Sequence, residues 1–150
     1  MRRCGFLTIL VLLGCVSSTA IAQSKLGHLK EWVGKHPTFN DFKPRREFLM
    51  LPEIKRPLLK LLSRDDYRFL TRTCDKEVPI EMIGDFLIAR RCHSYACGNG
   101  GGVAIVNLSD GAIHVAIMDE DDSEQRWFSS NGKYKELPFE IKLGFLLIKN

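Results

Sequence analysis

Val103-Ala104-Ile105-Val106-Asn107-Leu108-Ser109-Asp110-Gly111-Ala112-Ile113-His114-Val115-Ala116-Ile117-Met118 is the stretch whose reading decides the fold. Two runs rich in β-forming residues flank Asp110-Gly111, a pair suited to the positive-φ turn of a hairpin. In the second run Ile113, Val115 and Ile117 face one way, while Ala112, His114, Ala116 and Met118 face the other. Working outward towards the N-terminus, the period of two begins at Val78, and Asp85 to Arg91 forms a further β-rich run. Towards the C-terminus, the acidic turn Asp119-Glu120-Asp121-Asp122 leads to Gln125 to Ser129, and Asn131-Gly132 marks another turn. The pattern predicts an antiparallel meander of four to five strands.

The flanks are helical in character. Leu26, Leu29, Trp32 and Val33 recur at helical spacing, and His36-Pro37 ends that segment. After an irregular stretch from Asn40 to Arg46 comes Leu51-Pro52-Glu53, with Leu58, Leu59, Leu61 and Leu62 as an apolar stripe. Pro57 inside that stripe predicts a helix that begins near it or is kinked there. Ser63-Arg64-Asp65-Asp66 has capping-box spacing and predicts a second short helix holding Tyr67, Phe69 and Leu70. Residues 137–148 close the chain with Pro138 near a helix start and Ile141, Phe145 and Ile148 on one face, Gly144 counting against that helix. The fold class is therefore α+β, a meander sheet with helices packed from the N-terminal third and the C-terminus. No internal repeat, low-complexity segment or second domain is present in the sequence.

The chain opens with Met1-Arg2-Arg3, an apolar run from Phe6 to Val16, and Ala20-Ile21-Ala22 before Gln23. A charged start, a hydrophobic core too short for a bilayer and an Ala-x-Ala site predict a signal peptide over 1–22. A single exported, periplasmic domain over 23–150 follows. A competing reading takes Leu12-Leu13-Gly14-Cys15 as a lipobox, with a lipid anchor at Cys15. No other segment is long and apolar enough to span a membrane. Residues 23–74 carry 12 basic and 6 acidic groups, and residues 75–150 carry 8 basic and 12 acidic. Unevenly solvated charge explains this asymmetry; its functional reading is attraction of the acidic half to a cationic partner.

Cys92-His93-Ser94-Tyr95-Ala96-Cys97, followed by Gly98-Asn99-Gly100-Gly101-Gly102, lies between two predicted strands in that acidic half. In an oxidising compartment the close pair Cys92 and Cys97 is expected to form a disulfide, with Cys74 the third cysteine of the mature chain. Pairing of Cys74 with one loop cysteine stays open. The loop is expected outside the core, because a buried loop would strand its backbone polar groups. Gly98 and the glycines at 100–102 let the strand leave sharply.

Other chemistries fit poorly. Cys92, His93, Cys97 and Cys74 make a weak zinc set, because adjacent Cys-His ligands rarely close a tetrahedral site. Thiol-disulfide catalysis prefers Cys-x-x-Cys, which is absent. Nucleophilic chemistry would rest on Cys74, and no phosphate-binding glycine pattern, HExxH or serine elbow occurs. The sequence predicts neither an enzyme nor a metal, cofactor or nucleic-acid binder. His114 reads as structural, His28 and His36 as solvent-facing, and Trp32 and Trp127 as core.

At Cys92, Cys97 and Gly98 the chain resembles the inhibitor of vertebrate lysozyme (Ivy) family. Supporting similarity runs from Gly84-Asp85 to Trp127: a strand into the loop, a glycine exit, an Ala-Ile-Val strand, a turn and a Trp-bearing strand. The resemblance implies periplasmic bacterial proteins with an exposed, disulfide-closed loop of pattern Cys-x-x-His-x-Cys, whose histidine enters the lysozyme cleft. In this chain Tyr95 stands at the histidine position and His93 lies two places earlier, so the family's inhibitory residue does not carry over.

A muramidase cleft holds two carboxylates, one of them kept protonated. A phenol can donate to one and accept from the other, and an imidazole can do the same with two nitrogens. The implied function is occlusion of a lysozyme or lytic transglycosylase by residues 92–98. The bland alternative is a periplasmic structural or assembly module whose Cys-x4-Cys pair is only a staple.

Overall fold

The computed structural model describes residues 25–38, 42, 44–74, 76–92, 100–118 and 125–146, with backbone alone for 143–146. Six strands form one sheet: β1 (Lys76–Glu77), β2 (Glu81–Ile83), β3 (Phe86–Cys92), β4 (Gly101–Asn107), β5 (Ile113–Met118) and β6 (Arg126–Ser129). Strands β3 to β6 follow one another as an antiparallel meander, and β1 and β2 share the outer edge of β3. The meander is thus as predicted, with its outer edge split between two short strands. Gly111 (φ 77°) and Gly132 (φ 72°) take the left-handed conformation that their turns require.

Period-two patterning sorts the sheet into two buried faces. Leu87, Ala89, Ala104, Val106, Ile113, Val115 and Ile117 pack with Leu29, Trp32, Phe48, Ile54, Leu58 and Leu70 in the larger core. Ile88, Val103, Ile105, Ala116 and Met118 pack with Leu137 and Ile141 in the smaller one. The N-terminal elements therefore cover one face, and the segment entering the C-terminal helix α3 (Phe139–Leu146) covers the other. With both faces covered, β5 is buried along its whole length.

The helices depart from expectation in instructive ways. The first is a short 3-10 helix, Gly27–Trp32, in which Leu29 and Trp32 are buried. Val33 leaves the apolar stripe, 43% exposed, and forms a parallel bridge to Ile80 instead. Helix α1 (Pro52–Leu61) starts with Pro52 in its first turn, where the missing N–H is not needed, and continues through Pro57. Its inward line is Ile54, Leu58 and Leu62, while Leu59 faces out at 52% exposure. Ser63 caps α2 (Arg64–Arg68): its Oγ accepts from the Asp66 N–H at 3.1 Å and donates to Asp66 Oδ2 at 2.6 Å. A π-turn, Phe69–Thr73, then carries the chain to the sheet. Among the described residues no helix is long and apolar enough to cross a membrane.

Candidate functional site

The loop singled out in the sequence is the connection of the central β3–β4 hairpin. Cys92 pairs with Gly101 as the last rung of the ladder, so residues 93–100 link the two strands. His93, Ser94, Tyr95, Ala96, Cys97 and Gly98 lie outside the described residues. What the structure fixes is the root from which they leave. Cys92 and Gly100 are buried there. At Gly101 a Cβ would sit 2.7 Å from the Arg91 carbonyl oxygen, too close for any side chain. A Cβ at Gly102 would meet Leu70 Cδ1 at 2.6 Å, so Gly102 lets the π-turn lie directly against the hairpin, while Gly101 allows the close approach of β3.

Arg91, Gly102, Ile117 and Arg126 form one cross-strand row at the loop end of the sheet. The two arginines of this row hold α2 and the π-turn. Arg91 Nη1 donates to the carbonyls of Leu70 (3.1 Å) and Thr71 (2.6 Å), which the end of the helix leaves without partners. Its Nε lies 3.2 Å from Glu77 Oε1 on β1 without hydrogen-bond alignment, so that contact is a charge pairing. Both side chains are almost wholly buried, 7% and 2% exposed. Glu77 in turn accepts from the Thr38 N–H (2.9 Å) and hydroxyl (2.5 Å), tying the N-terminal segment to the same point. Across the row Arg126 Nη1 meets Asp66 Oδ1 at 2.6 Å, linking β6 to α2 over 60 positions of sequence. Sequence reasoning missed both arginine clamps; the only local signal was that strand parity placed Arg91 on the face of Leu87 and Ala89.

Asp119 to Asp122 lie outside the described residues. On α2 and the π-turn Arg64, Arg68 and Arg72 are all exposed.

The remaining histidines and tryptophans are structural in most cases. His114 is 2% exposed, with Nδ1 3.0 Å from the Ser129 hydroxyl; burial pushes its imidazole below the ordinary value, with Asp110 acting in the opposite sense. His28 is exposed and lies 2.8 Å from Glu53. Trp32 is fully buried, whereas Trp127 is half-buried and stacks on Tyr134 at 5.8 Å. Among the described residues no group of three His, Cys, Asp or Glu could hold a metal ion. Cys74 is fully buried.

A mostly antiparallel sheet covered on both faces by helical segments defines an α+β protein. The chain belongs to the inhibitor of vertebrate lysozyme (Ivy) family, whose model matches residues 53–148. That match covers α1 from its second residue, the helices after it and every strand of the sheet. No curated protein and no solved structure matches the chain.

Proposed function

We propose that the protein is an exported, periplasmic inhibitor that occludes the active-site cleft of a lysozyme or lytic transglycosylase with the loop of residues 92–98, and that it has no catalytic activity of its own. The observation that carries this reading is the clamped root of the β3–β4 connection, in a chain of a lysozyme-inhibitor family. Occlusion of a cleft by a short loop is strongest when the loop loses little freedom on binding, and a rigid root lowers that cost. A disulfide between Cys92 and Cys97 would lower it further. Support for that pairing comes from Cys92, which is disulfide-bonded at the root of the loop.

Tyr95 and His93 are the proposed cleft-facing groups. Each can hydrogen-bond a carboxylate pair of which one member is protonated. Export rests on the sequence of residues 1–22, with cleavage after Ala22.

The test is hydrolysis of cell-wall substrate by a panel of lysozymes and lytic transglycosylases with the mature protein added. Inhibition at micromolar concentration is expected for at least one enzyme. Tyr95→Ala or His93→Ala should then weaken it about tenfold to a hundredfold, the range of a buried anchor residue. Absence of inhibition and of binding across the panel sinks the proposal and leaves a structural or assembly module.

A further inference from the structure

We propose that Arg64, Arg68 and Arg72 form a docking surface for an acidic rim on the enzyme whose cleft the loop occupies, and so select targets by rim charge. The inference rests on the proposed function and names a property of the partner that it leaves open.

These residues follow one another at four-residue intervals along α2 and the π-turn, and they border one groove of about 440 Å³ together with Asp65, Tyr67 and Thr71. All three are exposed. None of them has an ion pair or side-chain hydrogen bond, and Asp65, exposed in the same groove, does not neutralise them. Like charges one helical turn apart repel, and only Arg68 and Arg72, in the last turns of α2 and the π-turn, are offset by the helix dipole.

Its position is fixed by the opposite side of the same segment. Arg91 and Arg126 hold Leu70, Thr71 and Asp66 against the loop end of the sheet, and Leu70 rests on Gly102, one residue from the partner of Cys92. Any partner that seats on the loop root therefore approaches this arginine row. The arginines are the charges whose placement the sheet dictates. Guanidinium groups pair with carboxylates bidentately, which makes an acidic protein rim the matching chemistry.

The experiment compares the mature protein with R64A/R68A/R72A and R64K/R68K/R72K against enzymes with acidic and with basic cleft rims, at low and physiological salt. For an acidic-rim enzyme the alanine variant should lose about tenfold or more in association rate at low salt, together with most of the salt dependence. The lysine variant should keep the association rate, and neither variant should lose inhibition of a basic-rim enzyme. Unchanged thermal unfolding of both variants separates these effects from folding. If the alanine variant inhibits acidic-rim enzymes at the wild-type rate and salt dependence, the inference is overturned while the proposed function stands. If the wild type inhibits nothing, both fall. Loss of binding to phosphatidylglycerol vesicles with enzyme inhibition unchanged also overturns it, assigning the row to a membrane surface.

Discussion

Arg91 sits at the end of a strand that alternation alone identifies, yet its guanidinium is buried against Glu77 and two helix-end carbonyls. Parity places it on the core face, but nothing local says that a charge there will be satisfied; the two carbonyl partners lie about 20 positions away in the chain. Removing one member of a buried pair leaves the other charge desolvated and uncompensated. Arg91→Leu is therefore expected to cost about 3 to 5 kcal/mol, read from chemical denaturation. A cost below about 1 kcal/mol, the range of an exposed pair, would show that the clamp is not buried in solution. The residue-scale expectation at the loop tip differs in kind, since Tyr95 occupies the family's histidine position and its role rests on the chemistry of a phenol.

At the scale of elements, short-range signals were legible wherever they satisfied the backbone locally. The Ser63 cap and the Gly111 and Gly132 turns stand where the sequence places them, because each answers a need of a few neighbouring residues. Ser63→Ala is expected to destabilise the protein by about 1 to 2 kcal/mol, with Ser63→Thr losing less, measured by thermal and denaturant unfolding. A neutral Ser63→Ala would mean that the Arg126 contact alone positions Asp66. The start of α1 was less legible. Pro57 suggested a beginning or a kink, whereas Pro52 opens the helix and burial of Ile54, Leu58 and Leu62 offsets the one hydrogen bond that Pro57 forgoes. The first 3-10 helix shows the same effect: Val33 turns out of the apolar stripe because the chain there bridges Ile80, a pairing that helical periodicity does not foresee.

For the molecule as a whole, the two-faced core sets the response to acid. The unfolded chain protonates His114 near its ordinary 6.5, while burial holds the folded value lower. The unfolded state then binds more protons, so stability is full above about pH 6.5 and falls as pH drops through the folded value. Glu53 adds a second decline below its ordinary 4.5: burial pushes the carboxyl up, but the hydrogen bond from His28 with its backbone and charge neighbours brings it below that value. Thermal unfolding between pH 7 and about pH 5 should show the first decline, flattened in His114→Gln; an equally steep decline in that variant removes His114 as its cause. By itself the sequence determined the strand alternation, the turns, the cap and the polar connection between β3 and β4. Those follow from interactions within a few residues, and a side chain's parity or a glycine's freedom is a local property. Only the tertiary structure decided that both sheet faces are covered, that Arg91 and Arg126 pin α2 beside the loop root, and that Arg64, Arg68 and Arg72 stand there unneutralised. These depend on strand register and on contacts 60 or more positions apart, which the energy of the packed whole selects and no local pattern encodes.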